Sequence, residues 1–208
     1  MLAVNDHLFL LINASERAWP ITVLIAEVLA TGLVFAAALL LVVLWVWGAP
    51  ARRSALAATG VAAALALVSN QIVGLLWYEP RPFMVGLGRT LLDHAPENSF
   101  PSDHTTFMLT VGFALIATRA APGWGKFISG LGVLVAWSRI FLGVHFPVDM
   151  LASALVASLF GGLSVLIVEP VRRWIMPLAE PVYEGTLRAL RLSPRVFPRR
   201  AGDGDNAP

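Results

Sequence analysis

The sequence has no cysteine, which excludes a disulfide framework, a thiolate metal site and a catalytic thiol. It is also poor in charge. Only 13% of its 208 residues are Asp, Glu, Lys or Arg, where a soluble domain carries about 25%. Hydrophobic residues make up 57%. That balance argues against a soluble globular protein and equally against disorder, which needs few apolar residues and many charges. The net charge is only +2 and there is no broad basic surface, so nucleic acid is not an expected partner. No repeat is visible. No basic segment precedes an early apolar core, so no secretory signal peptide is expected. What is left is an apolar chain of one-domain length, a polytopic membrane protein whose partner is the lipid bilayer.

A helix needs roughly 20 mostly apolar residues to cross a bilayer. Residues 21–47 qualify with Glu27 as their one charge, and 54–77 with none. Residues 105–118 are shorter but gain a turn if Pro101-Ser102-Asp103-His104 joins the helix. Residues 127–142 carry Arg139 near their end, and 148–168 carry Asp149 at their start. The expected fold is all-α, a membrane helix bundle of five to six transmembrane helices. A sixth would come from residues 1–20, which we expect instead to lie at the interface through Leu2, Leu8, Phe9, Leu11 and Ile12. All 7 tryptophans fall near span ends, as an aromatic belt requires.

The domain reading is an N-terminal interfacial segment (1–20), a transmembrane domain (21–170) and a basic cytoplasmic tail (171–208). Pro170, Pro177, Pro181, Pro194 and Pro198 punctuate the tail. One short amphipathic helix at 182–192 and disorder over 201–208 are expected there. With five spans the loops alternate sides. Arg52, Arg53, Arg119, Lys126, Arg172, Arg173 and the tail share one side, which the positive-inside rule makes cytoplasmic. The loop 78–102 and the turn 143–147 then face outward, the external or periplasmic face of a plasma (inner) membrane.

Three polar clusters fall on that face: Glu79-Pro80-Arg81-Pro82; Ser99 to His104; and Ser138-Arg139 with His145 and Asp149. Their chemistry suits a phosphate. Arg81 and Arg139 each offer a planar fork of donors. Pro101 and Ser102 look like a helix start, whose free N–H groups and dipole favour an anion, and the Ser102 hydroxyl adds a donor. His104 and His145 supply an acid and a nucleophile or base, and Asp149 is spaced to steady an imidazole. Singly, each has an ordinary explanation: interfacial arginines anchor headgroups and Asp149 caps a helix. Gathered on one side of a chain that avoids charge elsewhere, they read as a site. Asp93 and Glu97, in the same loop, read as solvated charges. No dense carboxylate cluster suggests a metal, and no cofactor is implied.

At these residues the sequence resembles the type-2 phosphatidic acid phosphatase superfamily, which includes the vanadium haloperoxidases. The family pattern is Lys-x6-Arg-Pro, then Pro-Ser-Gly-His, then Ser-Arg-x5-His-x3-Asp. The third part is complete in Ser138-Arg139, His145 and Asp149. The first lacks its Lys, which falls on Gly74; Asn70, Gln71 and Arg89 are candidate substitutes. The second has Asp103 for Gly, a negative charge that disfavours an anionic ligand unless the carboxylate turns away or is paired. Phe100-Pro101-Ser102-Asp103-His104, preceded by Arg81-Pro82-Phe83 and His94, resembles the undecaprenyl-diphosphate phosphatases linked to bacitracin resistance.

The resemblance implies a metal-independent membrane phosphatase acting on a lipid substrate. His145 would attack phosphorus, Asp149 would orient it and His104 would protonate the leaving oxygen. Arg81, Ser102, Asp103 and Arg139 would bind phosphate, Asp103 through its backbone N–H. The alternative substrates are other lipid phosphates: phosphatidylglycerophosphate, phosphatidate or diacylglycerol diphosphate. A non-catalytic lipid transporter draws support from Glu27, Asn70 and Gln71 inside spans. Polar groups spread along a path would favour it; here they concentrate at one face.

Overall fold

In a bilayer only an intrachain hydrogen-bond ladder satisfies the backbone of an apolar run, so those runs become helices. The computed structural model describes residues 2–193 and 196–198, and among these there are helices and connecting segments but no strand. α1 spans Leu2–Ile12. α2 (Pro20–Glu27), a π-helical turn (Val28–Gly32) and α3 (Leu33–Trp47) form one rod of 28 residues. α4 (Arg53–Leu76), α5 (Asp103–Ala117), α6 (Pro122–Phe141) and α7 (Pro147–Pro170) follow. The five expected spans are therefore all helical. Three rods are long and apolar enough to cross a membrane by length and composition: Pro20–Trp47, Pro50–Leu76 and Pro147–Ala189.

α5 can be shorter because it is the centre of the bundle, packed against α4, α6 and α7. Met108, Val111 and Leu115 fill a core with Ala37, Leu56, Ala63, Ile128 and Val135. Thr105, Thr106 and Thr110 on α5 are fully buried in protein rather than set against lipid. Helices approach closely where glycine permits. A Cβ on Gly112 would stand 2.9 Å from the Gly125 carbonyl oxygen, and one on Gly161 2.6 Å from the Phe113 Cβ. Small residues at crossings are how helices associate without a hydrophobic drive between them.

One expectation gives way. The prolines after Glu169 do not end the last helix. A π-helical turn at Val171–Ile175 follows Pro170, and α8 runs on through Met176–Ala189. The wider π ring absorbs a misfit that a proline would otherwise turn into a break. Pro177 falls in the first turn of α8, where a missing N–H costs least. The resulting Pro147–Ala189 rod has 43 residues, about 64 Å of helix and roughly twice a bilayer core. The short helix expected at 182–192 is thus mostly the end of a long one. The disorder expected over 201–208 lies outside the described residues.

The N-terminal segment, in turn, docks on protein. Phe9 is fully buried beside Ile140, Phe146 and Met150, its ring 5.4 Å from that of Phe146. Asn5 Oδ1 accepts a hydrogen bond from the Val148 N–H at 3.1 Å. Asn13 donates to the carbonyls of Arg89 (2.8 Å) and Phe141 (3.1 Å) and accepts from the Arg89 N–H (2.7 Å).

Candidate active site

α5 begins at the second polar cluster because Ser102 caps it: its Oγ accepts from the Thr105 N–H at 3.5 Å and donates to Thr105 Oγ1 at 3.3 Å. Ser102 is fully buried and does not line the cavity above the helix, so its hydroxyl serves the helix rather than a ligand. Asp103 and His104, in the first turn, do line it. The Asp103 carboxylate is held by two amides from α4, Asn70 Nδ2 at 2.8 Å and Gln71 Nε2 at 3.0 Å. The charge that stood against an anionic ligand is therefore tied to neutral donors and to a helix N-terminus.

The third cluster wraps the tight turn between α6 and α7. Gly143 has φ +82 there, and a Cβ on it would lie 2.1 Å from the Arg89 carbonyl oxygen. His145 follows, 2% exposed, with Asp149 fully buried behind it. Asp149 Oδ2 accepts from the Phe146 N–H (2.9 Å), from the Ser99 hydroxyl and from His145 Nδ1 (3.1 Å). Three bonds fix the carboxylate, and the carboxylate fixes the imidazole with its proton on Nδ1. Nε2 is left with its lone pair. Arg81 Nη1 approaches it at 3.1 Å and Arg139 Nη2 at 3.3 Å. Burial, then Arg139 and Arg81, push the His145 pKa well below its ordinary 6.5, so the imidazole is neutral at neutral pH. Burial and two cations outweigh the single carboxylate.

Arg81 is held by backbone. Nη1 donates to the Val144 carbonyl at 3.0 Å and Nη2 to the Asn98 carbonyl at 3.1 Å. Glu97 Oε1 lies 3.4 Å from Nη2. The Nε–H groups of Arg81 and Arg139 are buried and have no hydrogen-bond partner among the described residues. Two buried guanidiniums aimed at one point, with donors to spare, favour an anion there. The cavity measures about 350 Å³ and is walled by Arg81, Arg139, His104, His145 and Asp103. A larger hollow of about 840 Å³ lies along α7 and α8. Its Arg172 and Arg188 pair with Glu169 and Glu184 on the same rod, and it contains no imidazole, so the smaller cavity is the one with chemistry.

The structure thus brings together His104, His145, Arg81, Arg139 and Asp103, places Asp149 behind His145, and leaves Ser102 as a cap. Of the residues considered in place of the Lys, Asn70 and Gln71 line the cavity, whereas the Arg89 guanidinium turns away to the Ser15 carbonyl at 3.0 Å. Glu97 is not simply solvated: it faces Arg81 and lies 3.7 Å from His94 Nδ1. His94 lines the same cavity, its ring centroid 6.4 Å from that of His145. Burial, then Arg81, lowers its pKa. Ser99 and Asn98 also belong to the site's frame; Ser99 fell in the second polar cluster without a role, and nothing in the sequence marked Asn98. Among the described residues no three His, Asp or Glu side chains gather as a metal site.

A family model described as PAP2 superfamily matches residues 55–173. The chain is 39% identical over 166 residues to the Escherichia coli (strain K12) protein YbjG, covering 79% of this chain and 82% of that one. It is 35% identical over 161 residues to undecaprenyl-diphosphatase BcrC of Bacillus subtilis (strain 168), covering 77% and 82%. Among solved structures, the crystal structure of Aquifex aeolicus LpxE is similar in fold, with a TM-score of 0.63 at 22% identity over 78% of this chain and 95% of that one.

Proposed function

Because this chain belongs to the PAP2 superfamily and is a membrane-embedded phosphatase, we propose that it hydrolyses undecaprenyl diphosphate to undecaprenyl phosphate on the external face of the plasma membrane, returning a cell-wall lipid carrier to use. The observation that carries the reading is the convergence of two buried guanidiniums on Nε2 of a neutral, carboxylate-anchored imidazole. A terminal phosphate entering there draws Arg81 and Arg139 onto its oxygens and frees the lone pair to attack.

His145 Nε2 bonds to the terminal phosphorus as the bridging P–O bond breaks. His104 gives its proton to the departing phosphate monoester of the lipid, and a phosphohistidine remains. His104 then takes a proton from water as the hydroxide attacks phosphorus, expelling Nε2 and releasing inorganic phosphate. Asp149 keeps Nδ1 in place throughout, and the two arginines, with the N–H groups opening α5, stabilise the charge that develops. The lipid tail stays in the bilayer. Leu75 of α4 forms part of the cavity wall and is 87% exposed, an apolar sill between site and membrane.

The test compares phosphate release from undecaprenyl diphosphate, phosphatidylglycerophosphate and phosphatidate with EDTA present. Undecaprenyl diphosphate is expected to lead in kcat/KM by about tenfold or more, a barrier difference of about 1.4 kcal/mol. A lead by either other lipid would move the substrate reading to it, and loss of activity in EDTA would end metal independence. In intact cells, Val85→Cys is expected to label from outside and Gly123→Cys only after permeabilisation. The reverse pattern would turn the site to the cytoplasm.

A further inference from the structure

Gly74 and Asn98 fit each other closely. A Cβ on Gly74 would stand 2.7 Å from Asn98 Nδ2, nearer than two such atoms tolerate. The Asn98 amide lies over the bare glycine and closes the external loop upon itself. Its Oδ1 accepts from the Glu79 N–H (2.7 Å) and the Phe100 N–H (3.4 Å). Its Nδ2 donates to the Phe100 carbonyl (2.8 Å) and the Trp77 carbonyl (3.3 Å). The Ser99 N–H donates to the Glu79 carbonyl at 2.8 Å, so both ends of the loop are zipped at this point. The Asn98 carbonyl is the acceptor for Arg81 Nη2.

We infer that Asn98, seated on Gly74, is a positioning residue that sets the Arg81 guanidinium for the substrate phosphate. This rests on the reading of Arg81 as a phosphate holder. Arg81 has no carboxylate partner of its own depth: the Glu97 side chain is 62% exposed, where that of Arg81 is 5%. Its direction is therefore set by two carbonyls, Val144 on one side and Asn98 on the other. Val144 belongs to the turn that carries His145, and Asn98 is fixed by its own amide. Any side chain at 74 displaces that amide, which gives the missing lysine a physical reason in this chain.

The probe is inorganic phosphate as a competitive inhibitor, with thermal melting as the check on folding. Asn98→Ala is expected to raise the phosphate Ki and the substrate KM by about tenfold, the scale of a sub-ångström misplacement of a binding group. Gly74→Ala is expected to do the same by pushing the amide aside. The double variant is expected to be no worse than either single one, since without the amide the added methyl meets nothing nearer than the Phe100 carbonyl oxygen at 3.9 Å. A merely structural role would lower the melting temperature and the active fraction while leaving Ki unmoved in the enzyme that folds. Unmoved Ki, or additive effects in the double variant, would overturn the inference. Should Asn98→Ala fail to fold, Gly74→Ala decides by the same readout. Arg81→Ala separates the two levels. If it leaves phosphate inhibition intact, the site reading fails; if it raises Ki while Gly74→Ala and Asn98→Ala do not, only this inference falls.

Discussion

Three arginines are buried among the described residues, and the two ends of the bundle use them differently. At the end away from the candidate site, Arg53 is fully buried at the start of α4. Its guanidinium carbon lies 4.3 Å from the Tyr183 ring centroid and 5.3 Å from that of Trp45. Nε donates to the Trp45 carbonyl at 3.3 Å and Nη2 to the Pro198 carbonyl. One cation among ring faces and carbonyls is a fastening: it ties the first rod, α4, α8 and residue 198 together. At the other end, Arg81 and Arg139 point at the same imidazole nitrogen, and a buried donor without a partner among the described residues is found at both ends, Nη1 on Arg53 and Nε on each of the pair. Burial of an arginine is common to both ends. What differs is the convergence of two like charges on one imidazole, found at one end alone among the described residues, which is the arrangement that favours an anion.

The sharpest way to break the comparison is at the imidazole on which the external pair converges. His145→Ala is expected to lower kcat by roughly 10³-fold or more, as for loss of a nucleophile. Its melting temperature in detergent should hardly move. Retention of more than a tenth of the activity would remove His145 from the chemistry.

A smaller effect sets the two ends directly against each other. Arg139→Ala is expected to cost about 10²-fold in kcat/KM, with thermal stability unchanged or raised, because it relieves repulsion from Arg81. Arg53→Ala should do the opposite. Losing a desolvated cation–π contact costs about 2 kcal/mol, roughly 4–8 °C in Tm for a chain of this size, while kcat/KM of the folded enzyme stays the same. A tenfold fall in kcat/KM at unchanged Tm for Arg53→Ala would erase the distinction.

The smallest effect is on pH. On the proposed mechanism His145 attacks only when neutral, and burial, Arg139 and Arg81 hold its pKa below 6.5. Its attacking form is therefore full above that value and is lost only as pH falls through the lowered pKa. The acid limb of kcat/KM is expected below pH 6.5. Removing the Arg139 charge should raise the His145 pKa and move that limb upward. An acid limb above 6.5 in the unaltered enzyme, with substrate ionisation accounted for, would contradict the electrostatics.

What could be read from sequence followed from spacing along a single element. Ser138, Arg139, His145 and Asp149 lie across one helix–turn–helix, so their separation reports their geometry. Hydropathy located the five helices because each lies within one run. The framing residues were hidden because their contacts are distant. Asn98 answers to Gly74 and Arg81, Ser99 to Asp149, and Glu97 to Arg81, pairings settled only by how the loop 78–102 folds back. Ser102 was ambiguous for a different reason: its motif position is the same whether the hydroxyl caps α5 or faces a ligand, and the fold shows the cap. The prolines after Glu169 misled because a π-helical turn can carry a helix past them.

The docking of α1 has a consequence for how the protein is made. Asn5 is the acceptor for the Val148 N–H, 143 residues further along the chain. Phe9 likewise settles against Ile140, Phe146 and Met150. At 5–20 residues per second, a ribosome takes roughly 7–30 s to cover that distance. Through most of that interval α1 can meet only the loop around Gly88 and Arg89, and the turn bearing His145 does not yet exist. The newborn chain therefore passes most of the insertion of α2 to α6 without the candidate site, which closes only when α7 arrives to meet α1.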